Sequence, residues 1–203
     1  MSISKEVAKI IESDLSIQNN LSRGLINHRA LARHILNKHD VKASLDGIIS
    51  AIRRIEIEPI RAYEKKIENM FKDSTISTRN NLICFTVKPE AILLLPKILS
   101  KNIRLVTGNE EIKIIAEKGK GEYVQGILSG HILKVEKDLG EVCIKLDEEA
   151  AKTSGVLSRI ANEISLNKIN IIELLISVPE FLIFVKQKDV IRAHEVLMKI
   201  SSS

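Results

Sequence analysis

The sequence predicts an α+β protein: a helical first third, then two smaller units that mix strands and helices. Three observations predict it. Apolar residues recur every three or four positions from Ile3 to Phe71, with no clear strand among them. At Leu82 the pattern changes to short runs rich in β-branched and aromatic residues. From there the order strand, helix, strand, strand occurs twice.

The first helix is expected from Ser4 to Ser13, with Ile3, Val7, Ile10 and Ile11 on one side. A second, Ser16 to Ser22, stops at Gly24, a residue that readily takes the left-handed conformation after a helix. Asn27 is placed to cap a helix that runs to about Lys38, with Leu31, Ala32, Ile35 and Leu36 inward. Ser44 caps the next, whose stripe is Leu45, Ile48, Ile49, Ile52 and Ile55. Short helices joined by tight turns fit a helix-turn-helix-like unit over residues 1–58. Pro59 punctuates its end. Ile60, Tyr63, Ile67, Met70 and Phe71 mark a further amphipathic helix, and the polar run Ser74–Asn81 reads as a linker, so residues 59–81 are expected to connect the two parts.

Leu82–Val87 reads as a strand, and Pro89 suits the first position of the helix after it. Pro96 should kink or split that helix. Ile103–Thr107 and Ile112–Ala116 form a hairpin around Gly108-Asn109, while Gly119–Gly130 has no clear period. Ile132–Glu136 and Glu141–Asp147 read as a second hairpin, turning at Lys137–Gly140. A helix follows over Ser154–Lys168, with Val156, Leu157, Ile160, Ala161 and Ile164 inward. Asn170–Ser177 and Phe181–Lys186 are strands around a Val178-Pro179-Glu180 turn. The last helix, Lys188–Ile200, carries Val190, Ala193, Val196, Leu197 and Ile200 on one stripe. Ile83–Ala91 resembles Val142–Ala150, and Glu111–Ala116 resembles Glu180–Val185. The repeat divides the remainder into 82–130 and 131–203. The second copy is one strand short of the order βαββαβ. Ile132–Glu136 would supply it as a local permutation, lying beside Glu141–Asp147.

Composition narrows the function. Four Phe, two Tyr and no Trp leave few rings on which single-stranded nucleic acid could stack. The net charge is +5, and residues 1–72 hold 13 basic and 9 acidic side chains, with six of the ten Arg. Any nucleic-acid surface belongs there. Arg29, Arg33 and Asn37, spaced by four, share a helix face, and Arg53 and Arg54 follow on the next helix. DNA is therefore the candidate macromolecular partner. Cys84 and Cys143 lie in apolar runs without basic neighbours, as buried reduced thiols do, which points to the cytoplasm. No run is apolar and long enough to cross a membrane, and the first residues lack a signal-peptide core. His28, His34 and His39 are six and five residues apart, so no two share a helical face as metal ligands would. No nucleophile and base can be matched, so the expectation is a protein that is not an enzyme and holds no metal or cofactor.

Thr153–Leu197 resembles an ACT domain, the small regulatory module of amino-acid metabolism, and is most similar to the tandem ACT region of aspartate kinases. The matching features are Gly155-Val156-Leu157 opening a helix, Ile169-Asn170-Ile171 entering a strand, Ser177 to Glu180 in a hairpin, and Ala193 with Leu197 in the last helix. Leu82–Gly130 resembles a degenerate first copy. The whole chain resembles archaeal predicted regulators that join a helix-turn-helix-like N-terminus to ACT units. Residues 1–80 are too few for a kinase catalytic domain and lack a Gly-rich phosphate loop.

The resemblance implies tandem ferredoxin-like units, a homodimer formed through them, and an amino-acid ligand at Thr153, Ser154, Gly155, Val156, Leu157, Asn170 and Ile171. Physical chemistry supports the placement, since a helix start offers unpaired N–H groups to a carboxylate. Lys152 would add a cation, and Glu173 would hold the ligand ammonium if it faced the same cleft. The function expected is regulation of amino-acid metabolism, signalled through the helical domain to DNA. The alternative is a regulatory subunit that docks on a biosynthetic enzyme.

Overall fold

Helix starts in the first third are fixed by short polar side chains. Asp14 Oδ1 accepts from the Ile17 N–H (3.0 Å), Asn27 Oδ1 from Arg29 and Ala30 (2.9 and 3.2 Å), and Ser44 Oγ from Gly47 (3.1 Å). These contacts start α2 (Leu15–Ser22), α3 (His28–Lys38) and α4 (Leu45–Arg53); α1 (Ile3–Glu12) starts after Ser2, whose Oγ accepts from the Lys5 N–H (3.4 Å). Gly24, at φ 68°, closes α2: its N–H reaches Leu21 O and the Leu25 N–H reaches Asn20 O. The computed structural model describes residues 2–55, 60–100 and 102–201, without the side chains of 60–64 and 151. Pro59 and the side chains of Ile60, Arg61 and Tyr63 thus lie outside the described residues. The chain divides into two compact units, Met1–Lys66 and Ile67–Ser203. The first has its own core of Val7, Ile11, Leu31, Ala32, Ile35, Ile48, Ala51 and Ile52.

The second unit is a six-stranded antiparallel sheet with the order β2-β3-β1-β4-β6-β5. Its strands are β1 (Thr75–Val87), β2 (Arg104–Thr107), β3 (Ile112–Glu117), β4 (Ile132–Lys145), β5 (Glu173–Ser177) and β6 (Glu180–Lys186). The helices are α6 (Gly121–Ile127), the short α7 (Glu149–Lys152), α8 (Val156–Leu166) and α9 (Val190–Ser201), with a 3₁₀ run at Pro89–Lys97. Before them comes α5 (Ile60–Lys72), which begins in the first unit and ends in the second. The expected hairpin of β2 and β3 is present.

Two expectations are corrected here. Ile132–Glu136 and Glu141–Lys145 are not a hairpin but the two ends of one continuous strand, β4. The polar run Ser74–Asn81 is not a linker, because Thr75–Arg79 pairs with Glu141–Lys145. The reason is the same for both. β1 and β4 are long enough to pair twice, each contributing to two motifs. In the first motif, the second half of β1 and the first half of β4 enclose β2, β3 and α6 in the order βαββαβ. In the second, Glu141–Lys145 is the first strand and Thr75–Arg79 serves as the fourth. The missing strand is therefore supplied from before the first motif, not by Ile132–Glu136.

The repeat seen in the sequence has matching places in the two motifs. Ile83, Phe85, Val87 and Ala91 are buried in the core of the first, and Val142, Ile144, Leu146 and Ala150 in that of the second. Ile67 and Phe71 of α5 join the second core. The other sheet face is also buried: Leu82, Cys84, Ile115, Leu139, Leu182 and Phe184 form one cluster. β3 and β5 are separated by three strands, about 19 Å in a flat sheet, yet Lys113 Nζ of β3 lies 2.7 Å from Glu173 Oε2 of β5. The sheet is thus bent over on itself, helices outside and strand faces together. Among the described residues, no helix is long and apolar enough to cross a membrane.

Gly140 sits where β4 passes under α9. A methyl group there would run into Val190 Cγ2 and close on Arg79 O at 3.0 Å. Gly140→Ala should destabilise the protein by about 1–3 kcal/mol in urea unfolding. Gly126→Ala in α6, where a methyl meets open space, should instead stabilise it by up to about 1 kcal/mol.

Candidate functional site

The connection from β4 to α8 is built by local hydrogen bonds. Asp147 Oδ1 accepts from the Glu149 N–H (2.6 Å), Thr153 Oγ1 donates to Glu149 O (2.9 Å), and Lys152 Nζ lies 3.3 Å from Glu149 Oε1. Gly155 follows at φ 85° and ψ −15°, a conformation that side chains strain to adopt, and α8 starts from it with no side-chain cap. That leaves the N–H groups of the first turn without a side-chain acceptor at the cap position. The expected site residues divide here. Lys152, Ser154 and Leu157 are exposed and Thr153 is half-buried, whereas the Val156 side chain is packed in the core with Ile160 and offers only its backbone.

Asn170 and Ile171 precede β5 rather than open it; the first ladder bond is Ile172 N–H to Phe184 O (2.8 Å). Asn170 is exposed, and Ile171 packs against the second core. Glu173 has a partner already. Its carboxylate accepts from Lys113 Nζ at 2.7 Å, and that hydrogen bond holds the Lys113 ammonium above its usual range. Glu173 lies between the sheet faces, so its charge neutralises Lys113 rather than waiting for a ligand. A second set lies beside it: Glu141, only 3% exposed, meets Arg104 Nε of β2 at 3.2 Å across the faces and Arg79 Nε, its neighbour on β1, at 3.7 Å. A carboxylate so buried requires such partners.

A groove lies in the N-terminal unit and a cleft in the C-terminal unit. In the N-terminal unit, Gly24, Asn27, His28 and Arg29 face Asp46, Ile49, Ser50 and Arg53 across about 790 Å³. The fold therefore brings Arg29 and Arg53 to one groove, while Arg33, Asn37 and Arg54 are exposed without lining it. In the C-terminal unit, Asn69, Met70, Asp73, Thr75, Lys145, Leu146 and Asp147 line a cleft of about 340 Å³. Sequence reasoning missed this cleft because its walls are separated by some seventy residues, roughly the span between the two strands that carry them. The residues anticipated at 152–157 and 170–173 line neither cavity.

Cys84 and Cys143 are free thiols, the first buried and the second half-buried. Burial, then the nearby Glu136, pushes the Cys84 thiol up to about 11, and burial, then Glu180, raises Cys143. Both shifts disfavour the thiolate, the form in which a cysteine acts as a nucleophile. Among the described residues, no group of three or more His, Cys, Asp or Glu could hold a metal ion.

The sequence matches no protein-family model and no curated protein. Its fold does match solved structures over about three-fifths of the chain. The regulatory subunit of aspartate kinase from Thermus thermophilus, in ligand-free form, aligns at TM-score 0.52 and 12% identity, covering 62% of this chain and 97% of that one. A structure of aspartokinase alpha and beta subunits aligns at TM-score 0.52 and 16% identity, covering 63% and 97%. Aspartate kinase of Clostridium acetobutylicum aligns at TM-score 0.52 and 14% identity; the match spans 62% of this chain but only 34% of that enzyme. The class of fold is thus settled: the C-terminal unit has the architecture of an aspartate kinase regulatory region, as the resemblance in the sequence implied.

The raised Cys84 value carries a pH signature. Above pH 9 the unfolded thiol ionises while the folded one keeps its proton, so stability falls between pH 9 and about 11. The raised Lys113 value acts in the same direction at alkaline pH. Cys84→Ala should flatten the fall measured by urea unfolding at stepped pH. In the native protein Cys84 should also resist a disulfide-exchange reagent at pH 8 and react once denatured.

Proposed function

We propose that this protein is a non-enzymatic regulator of amino-acid metabolism. An amino acid bound by the C-terminal unit would alter what the N-terminal helical unit contacts. The observation that carries this reading is the near-complete coverage, 97%, of two aspartate kinase regulatory or subunit chains by the C-terminal unit. The regulatory role is an analogy from fold. The resemblance of residues 153–197 to an ACT domain supports it independently. The helix-turn-helix-like reading of residues 1–58 and a homodimer through the ACT-like motifs belong to the same proposal. The open edges of β2 and β5 favour the second, since an unpaired strand edge needs cover.

Linkage supplies the mechanism. A ligand that fits one arrangement of the protein more tightly shifts the population towards it, and the helical unit reports the shift. DNA as target is supported by the groove lined by both Arg29 and Arg53 beside the start of α3, where phosphate oxygens would find two cations.

Two measurements test the reading. Among the twenty amino acids, an effector at 100 times its Kd adds about 2.7 kcal/mol of stability and should raise the melting temperature by roughly 5–10 °C. A flat panel contradicts effector sensing. Duplex DNA binding should weaken steeply with salt, and Arg29→Ala or Arg53→Ala should each lower the log–log salt slope by about 1. An absence of binding at low salt would transfer the output to docking on an enzyme.

A further inference from the structure

We propose that the cleft between the end of α5, the start of β1 and the end of β4 binds a free amino acid as its zwitterion. The inference rests on the regulatory reading above and gives its effector a place other than the start of α8.

The lining has the chemistry of a zwitterion site. Lys145 supplies an ammonium, Asp73 and Asp147 supply carboxylates, and Asn69 and Thr75 add an amide and a hydroxyl. Met70 and the buried Leu146 give an apolar wall. Among the described residues, neither Lys145 nor Asp73 has an ion-pair partner. Asp147 commits one carboxylate oxygen to the Glu149 N–H (2.6 Å) and keeps the other. The volume, about 340 Å³, is at the lower end for small-molecule pockets, roughly 300–1,000 Å³. It suits one small ligand rather than a peptide segment.

The walls are held from three sides. Thr75 and Lys145 are cross-strand partners on the β1–β4 pair. The Leu146 N–H is fixed to Pro179 O (3.0 Å). The turn that carries Asp73 is fixed by the Ser74 N–H to Phe71 O (3.1 Å) and by Ser74 Oγ to Ser201 Oγ (2.9 Å). The backbone of the site is held before a ligand arrives, while Asn69, Asp73, Thr75, Lys145 and Asp147 are exposed and would be ordered by it.

The groups define an orientation. The ligand carboxylate accepts from Lys145 Nζ and Thr75 Oγ1, and its ammonium donates to Asp73 and Asp147. The side chain lies along Met70 and Leu146. Two carboxylates against one ammonium leave the lining net negative, so aspartate and glutamate are disfavoured against neutral and basic amino acids. The ligand would tie the last turn of α5 to the sheet. The same helix begins in the N-terminal unit, which gives occupancy a covalent route to it.

The test is calorimetric titration of the full chain with the twenty amino acids, and with the N-acetyl and amide derivatives of any that bind. Neutral or basic amino acids should bind, both derivatives should fail, and Lys145→Met and Asp147→Asn should each weaken binding roughly 10–100-fold. Unchanged circular dichroism should accompany both variants. Asn170→Ala and Ser154→Ala should leave the affinity unaltered. Binding that survives Lys145→Met and Asp147→Asn but is lost in Asn170→Ala or Ser154→Ala overturns this site and leaves the regulatory reading standing. Binding indifferent to all four variants overturns the site in the same way. A wild-type chain that binds none of the twenty overturns both.

Discussion

The antiparallel pairing of β1 with β4 is the constraint on which the C-terminal unit depends. Each strand is more than twice as long as a single motif needs, and each gives one half to each motif. Neither motif can complete its sheet alone: without Thr75–Arg79 the second lacks its fourth strand, and without Ile132–Glu136 the first lacks its own. The two backbones have one left-handed residue apiece near the crossing from one motif to the other, Asn81 at φ 58° and Asp138 at φ 55°. The register shifts in the same region. Such irregularities bend a strand pair, and here the bend brings the two sheet faces together.

That bend explains where charge and thiols lie. Lys113 with Glu173, and Arg104 with Glu141, join strands that are not neighbours in the sheet order, while Arg79 reaches Glu141 from the adjacent strand. They lie at the rim of a shared apolar layer built from both motifs. A buried carboxylate such as Glu141 adds little net stability by being paired, yet stranding it would be costly. The ion pairs therefore specify how the faces meet more than they drive the meeting. Cys84 is in the same layer, which is why its thiol resists ionisation.

Much of this fold was legible in the sequence, and the failures have definite physical causes. The caps at Asn27 and Ser44 and the stripes of α1, α3 and α4 act through neighbours a few residues away, so local reading finds them. The repeat was visible because both first strands bury the same alternate positions. Lys137–Gly140 reads as a turn because charge and glycine usually mark one. In the fold Gly140 is there to leave room beneath Val190, a contact made across fifty residues of sequence. Ser74–Asn81 reads as a linker because it is mostly polar; only the partner strand makes Thr75–Arg79 β structure. At the candidate site, a glycine opening α8 was anticipated, but its left-handed conformation, the engagement of Glu173 by Lys113 and the cleft around Lys145 and Asp147 were not, and the last two depend on long-range pairing. Of the five residues expected at a nucleic-acid surface, two, Arg29 and Arg53, line one groove, an arrangement that helix spacing alone does not reveal.

Native-state hydrogen exchange across the two long strands, followed residue by residue at rising denaturant, tests the shared-strand architecture most directly. The amides of 75–79 with 141–145 and those of 82–87 with 132–136 should open at one common free energy, equal to that of the whole C-terminal unit. If either set opens independently, at a free energy lower by more than about 2 kcal/mol, the motifs are separable domains and their coupling through β1 and β4 is wrong.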